Sequence, residues 1–349
     1  MSESAALPSL SAGGTGPSAG DRAATAYPAL VADVGGTFVR FALVDSPGAA
    51  VRDVRAFRCA EFASLEEAAA AYLADVAAGA RPISAAFALA CAIDGDAVRM
   101  TNNPWTIARS KLQQALGARH VRLINDFEAL ALALPRLRRD EIDPIGTAAP
   151  DASGPMAVVG PGTGLGVACC VPVGERWVAL PTEGGHVTAA AADDFEAEVL
   201  HVARGEFAHV SAERLVSGMG LPLLHRAVAT ARGVAAESLP AEEIARRALT
   251  LNDPDCLATL DTFCAMLGTF AGNVALTVGA RGGVFIAGGI VQKLGRFFEQ
   301  SRFRSRFEAK GRFAGYLAAI GTAVITAPHP ALAGAAAAIG NETIAAGQR

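Results

Sequence analysis

Leu30-Val-Ala-Asp-Val-Gly-Gly-Thr-Phe-Val-Arg-Phe-Ala-Leu-Val-Asp45 is the stretch of sequence that decides the fold. Apolar residues alternate on both sides of the Gly35-Gly36 pair, which predicts two β-strands (28–34 and 38–45) joined as a hairpin. Because glycine has no Cβ, the backbone N–H groups of this turn could approach phosphate oxygens closely. The sequence therefore predicts a sheet whose first turn is suited to a phosphate group.

The same plan returns in the second half of the chain. Gly160-Pro-Gly-Thr-Gly-Leu-Gly166 separates two short apolar runs between 157 and 171, which suggests an internal duplication. Ser64-Leu-Glu-Glu67 matches a capping box ahead of an Ala-rich helix that ends near Gly79. Elsewhere in the sequence, predicted strands and helices alternate. This alternation predicts an α/β protein with covered sheets. The predicted strands are 83–92, 121–124, 283–287 and 323–327, and the predicted helices are 105–116, 126–134, 194–204, 221–232, 242–251, 254–278 and a C-terminal one.

Composition predicts a globular protein of two domains. The chain has 349 residues, of which 52% are hydrophobic and 18% charged. The polar, Pro-containing segment 136–155 is suited to a domain boundary. The segment 262–280 is uncharged, but it contains threonines and glycines and continues an Asp-bearing helix, which favours a buried helix over a membrane span. Residues 1–26, rich in Ser, Gly and Ala, are predicted to form a disordered tail.

Charge and cysteine usage limit the possible partners and location. The net charge of −4 and the pI near 5.9 argue against a nucleic-acid partner, and the Arg-rich segment 296–312 alternates with Phe like a solvated amphipathic face. Six cysteines are scattered without a C-x-x-C pair, and no secretory leader is recognisable. These features predict a cytoplasmic protein with reduced thiols.

Three familiar kinds of site are disfavoured. None of the three lysines follows a glycine as a P-loop requires. The run 160–166 has Leu165 where a dinucleotide-binding fingerprint needs its third glycine. The histidines lie apart without paired cysteines or carboxylates, so the sequence predicts no metal-ligand cluster.

Leu-Ile-Asn-Asp-Phe-Glu-Ala-Leu (123–130) is the stretch that points to chemistry. An apolar strand leads to Asp126 at the start of a predicted helix, where its carboxylate could face a cleft and accept a proton from a substrate hydroxyl. A carboxylate combined with two possible phosphate-binding turns favours phosphoryl transfer to an alcohol. The alternative is that Asp126 only caps the helix.

Other polar residues have similarly open interpretations. Glu183 and His186 flank Gly184-Gly185 at a strand end, where they could meet a ligand or form a loop ion pair. Glu213 could be a ligand contact or a first-turn acid favoured by the helix dipole. Asn102 and Asn103 form a polar turn that we also assign to the substrate site, whereas Trp105 next to it is interpreted as a packing residue.

Seven separated motifs, taken in order over residues 29–340, resemble those of bacterial glucokinases in the hexokinase/actin-like ATPase superfamily. They are LVADVGGTFVRFALVD, MTNNPWTIARSKL, LINDFEALALALP, VVGPGTGLGVA, LPTEGGHVTAAA, HVSAERLVSGMGL and VFIAGGIVQKL. The chain departs from the family at Thr182, which is often glycine there, and in its N-terminal tail. It lacks the Cys-rich zinc motif of the related repressor/kinase group.

The resemblance implies ATP-dependent phosphorylation of glucose at its 6-hydroxyl. It assigns the catalytic base to Asp126 and the sugar contacts to Asn125, Glu183, His186 and Glu213. It also assigns the nucleotide contacts. The phosphates would bind the backbone of two turns, the first formed by Ala32, Asp33, Val34, Gly35, Gly36 and Thr37 and the second by Gly162, Thr163 and Gly164. The adenine would lie near Gly288 and Gly289.

The family fold implied here is a two-domain α/β, actin-like/hexokinase (ribonuclease H-like) fold with an interdomain cleft. A small domain would comprise 27–136 plus 328–349, and a large domain 137–327. Mg²⁺ would accompany ATP, and a homodimer is expected. Two alternatives stay open: a kinase for another hexose such as mannose or fructose, and a non-enzymatic sugar-sensing regulator.

Overall fold

A computed structural model describes residues 26–76 and 81–345, with the side chains described as far as residue 339. The predicted tail therefore lies, apart from Ala26, outside the described residues, as does Gly79. Ala26 itself is buried together with Tyr27 against the first sheet.

The described residues form thirteen strands in three sheets. The strands are β1 (Ala29–Val34), β2 (Phe38–Val44), β3 (Arg52–Arg58), β4 (Ser84–Leu89), β5 (Ala97–Arg99), β6 (Thr106–Ala108), β7 (His120–Asn125), β8 (Ile142–Ile145), β9 (Met156–Pro161), β10 (Leu165–Val173), β11 (Arg176–Thr182), β12 (Gly283–Ile286) and β13 (Thr322–Ile325).

Helices connect and cover these strands. They are α1 (Leu65–Asp75), α2 (Arg109–Leu116), α3 (Asp126–Ala133), α4 (Asp194–Arg204), α5 (Leu221–Ala231), α6 (Ala241–Arg246), α7 (Pro254–Val278), α8 (Gly289–Leu294), α9 (Arg296–Gln300), α10 (Phe303–Glu308), α11 (Ala314–Ala318) and α12 (Pro330–Ala345). A π-helical turn, Arg247–Leu251, follows α6.

The two large sheets share one strand order. The first is β3-β2-β1-β4-β7 and the second β11-β10-β9-β12-β13-β8. In each, an antiparallel three-strand meander is followed by two strands parallel to its first member. Both predicted glycine-turn hairpins are confirmed, and five strands of each sheet follow the same order, as the suggested duplication requires; β8 of the second sheet has no counterpart in the first.

Alternating side chains bury both faces of the first sheet. Leu30 of β1 joins a cluster with Leu65 of α1, whereas Val31 faces the opposite way with Leu332 of α12. A Cβ added at Gly334 would lie 1.7 Å from the Ala129 carbonyl oxygen, so α12 crosses α3 in close contact. The C-terminal helix therefore packs with the first sheet.

Helix α3 lies between the two sheets. Ala129 and Leu132 belong to the core of the first sheet, while Ala131 and Leu134 join Val158 and other residues of the second. The helix that begins with Asp126 therefore contacts both halves of the molecule.

Two predicted segments are wrong in detail. Residues 105–116 were expected to be helical, but 106–108 form β6, because Ile107 is buried and pairs with Val98 across from it. The connection 136–155 contains the edge strand β8, whose Pro144 fits an edge position because proline has no N–H to donate to a further strand. Strands β3 and β5 and helices α8 to α11 were not predicted.

Candidate active site

Asp126 occupies the first position of α3, directly after β7. The helix cap is its neighbour: Asn125 Oδ1 accepts hydrogen bonds from Phe127 N (2.9 Å) and Glu128 N (3.3 Å). Asp126 Oδ1 also accepts one from Phe127 N (3.0 Å). The interpretation of Asp126 as only a helix cap is therefore wrong, because Asn125 caps the helix.

The Asp126 carboxylate is poised to titrate near neutral pH. Its pKa is raised to about 6: burial is the largest cause, the hydrogen bond from the Phe127 N–H acts in the opposite direction, and the charge of Asp33 adds to the rise. Burial likewise raises the pKa of Asp33, against the Arg40 guanidinium, whose Nη1 lies 3.4 Å from Asp33 Oδ2. A carboxylate with such a pKa suits general-base chemistry.

Contacts that the sequence did not indicate hold this strand-to-helix junction. Asn125 Nδ2 donates to the Cys91 carbonyl (3.1 Å). Arg122 Nη2 on β7 lies 3.0 Å from Glu128 Oε1 on α3. A cavity of about 410 Å³ opens here, and Asn125, Glu128 and Glu183 are among its lining residues.

Glu183 and His186 follow the end of β11, as predicted, on a single 3₁₀ turn. His186 Nε2 lies 3.9 Å from Glu183 Oε2, and His186 Nδ1 lies 3.7 Å from Glu213 Oε1. These separations are too long for hydrogen bonds. The imidazole and two carboxylates therefore converge while keeping hydrogen-bonding capacity for a ligand with several hydroxyl groups.

Glu213 connects the loop that carries Glu183 and His186 to the second glycine turn. Its Oε2 accepts a hydrogen bond from Leu165 N (2.8 Å), and its backbone N–H donates to the Gly185 carbonyl (2.9 Å). It lies in a turn well before α5, so its interpretation as a first-turn acid is wrong. A Cβ at Gly164 would lie 2.3 Å from Glu213 Oε2, which explains the glycine there.

The second glycine turn is tight and bordered by further glycines. Gly162 N donates to the Gly164 carbonyl (2.8 Å), and Gly218 N donates to the Gly162 carbonyl (2.8 Å). Gly288 has φ +96°, and a Cβ there would lie 2.4 Å from the Pro161 carbonyl oxygen. The structure thus brings Gly162–Gly164 together with Gly288. It also places Gly218 at this turn, a residue that was not predicted and whose only signal in the sequence is a second Gly-x-Gly pattern at 218–220.

The first glycine turn links β1 and β2, and Gly35 N donates to the Phe38 carbonyl (2.9 Å). The side chains of Ala32 and Val34 are buried in the sheet, so only their backbone could reach a ligand. The Asn102-Asn103 turn lies against this loop: Asn103 and Trp105 are buried, whereas Asn102 is exposed. The Trp105 indole donates to the Phe62 carbonyl (3.2 Å), which fits its predicted packing role.

Residues 26–76 and 81–345 contain neither a metal-ligand cluster nor a membrane-spanning helix. No group of three or more His, Cys, Asp or Glu side chains is arranged to hold a metal ion there. None of the helices in these ranges is long and apolar enough to cross a bilayer.

Comparisons with known proteins agree on one family. The family model described as Glucokinase matches residues 30–342. The glucokinase of Aromatoleum aromaticum is 49% identical over 315 residues, which cover 90% of this chain and 95% of the relative.

Solved structures extend the similarity to the fold. The crystal structure of a glucokinase from an Antarctic psychrotroph is 38% identical, has a TM-score of 0.84, and is matched over 90% of this chain and 98% of its own. A hexokinase of the related repressor/kinase group from Thermus thermophilus shares the fold alone, with 18% identity, a TM-score of 0.61, and coverage of 88% and 96% of the two chains. The predicted actin-like/hexokinase fold is confirmed.

Proposed function

The chain belongs to the glucokinase family, and from this premise we propose that Asp126 is the base of a glucose 6-kinase reaction. The protein is an enzyme that phosphorylates glucose with ATP. The observation that carries the assignment is the partly buried Asp126 carboxylate, whose pKa is raised to about 6 at the start of the helix between the two sheets. Membership of the glucokinase family favours an enzyme over the alternative of a sugar-sensing regulator.

The sugar is held from both sides of the cleft. Asn125 retains one amide N–H beyond its bond to Cys91, and Glu183, His186 and Glu213 supply acceptors and a ring nitrogen. Asp126 accepts the proton of the 6-hydroxyl as that oxygen bonds to the γ-phosphorus of ATP. The bond from the γ-phosphorus to the β–γ bridging oxygen breaks, and ADP leaves with that electron pair.

Backbone N–H groups of the two glycine turns bind the phosphates. The N–H groups of Gly35 and Gly162 donate within their own turns, so other N–H groups of the turns would meet the anion, and the open space at Gly162 lets it approach because no Cβ is there. Asp33 and Asp126 are partly buried carboxylates, and the charge of Asp33 opposes the ionisation of Asp126 beside this position, a setting that fits a divalent cation. Asp33 would hold the Mg²⁺ that accompanies ATP, which supplies positive charge against the phosphate oxygens.

Two domains close over the sugar in this proposal. Each large sheet has its own hydrophobic core, which supports a division into a small domain (27–136 plus 328–349) and a large one (137–327). The residues proposed to bind the sugar are divided between these two domains. Closure excludes water, which would otherwise accept the phosphoryl group.

A homodimer and a cytoplasmic location are further proposals. Val178 and Leu180 on the edge strand β11, and Val187 after it, are 44–52% exposed. Exposed apolar side chains next to an unpaired strand edge support contact with a second copy. Light scattering on the purified protein tests this, because a mass near 35.5 kDa would exclude the dimer.

The deciding experiment for the reaction is a coupled assay of ADP release with a panel of hexoses. We expect kcat/KM for glucose to exceed that for fructose, mannose and N-acetylglucosamine by roughly tenfold or more each, because each analogue leaves a buried polar group unpaired or misplaced. Equal turnover of any of the three would favour the broader hexose kinase. Failure to phosphorylate any hexose would refute the proposed function.

A further inference from the structure

Asn103 carries a buried amide group that the sugar site does not explain. The residue is 7% exposed, and its Oδ1 accepts a hydrogen bond from Trp105 N (2.9 Å). At the other end of the amide, Nδ2 is buried and lacks a hydrogen-bond partner of normal geometry. Such donors are rare in folded proteins.

The thiol of Cys59 is a neighbour of the Asn103 side chain. Burial raises the pKa of the Cys59 thiol, and the side chain of Asn103 opposes that rise as a hydrogen-bonding neighbour. Sulfur is a weak acceptor, so the contact satisfies the amide only in part. Asn103 and Cys59 therefore form a buried pair.

Cys59 in turn contacts the first glycine turn. Its backbone N–H donates to the Thr37 carbonyl (2.9 Å), and its Sγ lies 3.6 Å from the Gly35 carbonyl oxygen as a weak donor. Cys59 therefore contacts two carbonyl groups of the loop, those of Gly35 and Thr37, on either side of Gly36.

The turn that Asn103 stabilises supports the loop at a second point. A Cβ added at Gly36 would lie 2.8 Å from both the Cβ and the carbonyl oxygen of Asn102. The Met100 N–H donates to the Trp105 carbonyl (3.1 Å) and closes the segment around Asn103. Displacement of this turn would therefore displace Gly36.

We propose that Asn103 and Cys59 are positioning residues that hold the Gly35–Thr37 loop in the shape that binds the phosphate groups of ATP. The inference rests on the proposed function of this loop as a nucleotide contact. It replaces the sugar contact predicted for Asn103 with a structural role behind the phosphate site.

Asn103→Ala and Cys59→Ala should each raise the KM for ATP by roughly three- to tenfold, the change expected for losing one hydrogen bond. The KM for glucose should stay unchanged. The effects of the two substitutions should add up only in part in the double variant, because both remove the Asn103–Cys59 contact, while each also removes one contact of its own, from Cys59 Sγ to the Gly35 carbonyl or from Trp105 N to Asn103 Oδ1. Initial rates with each substrate varied in turn, and calorimetric titration with ADP, measure these effects.

Two further variants separate positioning from general destabilisation. Asn103→Ser keeps an oxygen for Trp105 N but loses the Nδ2 donor, so it should also weaken ATP binding while remaining folded. Cys264→Ala removes a buried thiol from the other half of the molecule, and should lower the thermal midpoint without changing the KM for ATP.

An unchanged KM for ATP in Asn103→Ser and Cys59→Ala would overturn the inference. So would parallel rises in both KM values that follow the loss of thermal stability. A wild-type protein that binds ADP but phosphorylates no hexose would refute the proposed function, while the ADP titrations would still test the role of this pair.

Discussion

Neighbouring residues at the strand-to-helix junction divide their roles. Asn125 satisfies the exposed N–H groups at the start of α3, so Asp126 is available for a substrate. Burial and the nearby Asp33 make its ionised form costly, and that cost makes it a stronger base. The same features that favour proton transfer therefore work against folding stability.

Asp126→Asn should lower kcat by roughly 10²–10⁴, since an amide cannot accept the proton. Its isosteric shape should preserve most glucose binding. Steady-state kinetics and a glucose titration measure the two effects. A variant that turns over glucose at the wild-type rate would mean that another group accepts the proton.

The same substitution should stabilise the protein above pH 6. The pKa of Asp126 is raised to about 6 in the fold, whereas an unfolded Asp has a pKa near 3.9. The contribution of Asp126 to the free energy of unfolding of the wild type therefore falls as pH rises from about 4 to about 6. The Asp126→Asn variant does not have this loss, because an amide does not ionise. Thermal midpoints of both proteins at pH 4 and pH 8 test this: they should differ only at pH 8, with Asn the more stable.

The pH dependence of the reaction follows from the same carboxylate. Only ionised Asp126 can accept a proton, so kcat/KM for glucose should fall about tenfold per pH unit below pH 6. A pH–rate profile of the wild type measures this. A profile that stays flat down to pH 5 would exclude the raised pKa as the controlling one.

At the level of elements, α3 packs against the hairpin of β9 and β10 through the ring of Phe127. Gly160 and Gly166 face each other across β9 and β10. A Cβ would lie 2.6 Å from the Phe127 ring at the first position and 2.0 Å at the second. These two glycines therefore make room for Phe127, and with it they set the position of Asp126 next to it.

Gly166→Ala should force Phe127 and the start of α3 away from the hairpin. We expect a loss of about 1–3 kcal/mol in unfolding free energy and a fall in kcat of about 10²-fold from misplacing the base. Adding Phe127→Leu should restore part of both, because the smaller side chain leaves room for the methyl group.

Gly315→Ala is the matched control, since a Cβ there meets no atom within 4 Å and the residue lies in α11. It should leave kcat unchanged. Full activity in Gly166→Ala would show that α3 can be seated without this close contact.

At the level of the whole molecule, the proposed sugar site is assembled from both large sheets. Asn125 and Asp126 follow a strand of the first, whereas Glu183 follows a strand of the second. A ligand that contacts both sets is bound best when they approach each other, so its binding energy favours a closed form.

Saturating glucose should therefore reduce the radius of gyration measured by small-angle X-ray scattering. Glu213→Ala, which removes a contact from the second half, should need more glucose for the same change. An unchanged radius at saturation, established by calorimetry, would contradict domain closure on the sugar.

Local patterns predicted a large part of this architecture. The period-2 alternation around Gly35-Gly36 and around 160–166 specified two hairpins, because strand faces alternate with each residue. Helices α4 and α7 were predicted at their observed limits, 194–204 and 254–278. Strand β3 escaped prediction because four of its seven residues are charged and its burial does not alternate.

The sequence by itself determined which residues could do chemistry: Asp126 at a strand end, the glycine turns, and the Glu183–His186 segment. Only the tertiary structure decided how they work. The pKa of Asp126 is raised by burial and by the charge of Asp33, which lies in β1. The carboxylate of Glu213 accepts a hydrogen bond from Leu165 N, 48 positions away in the sequence. Asn103 is placed behind the phosphate loop by Cys59 and Trp105. Burial, charge proximity and close packing arise between distant segments, so no local pattern encodes them.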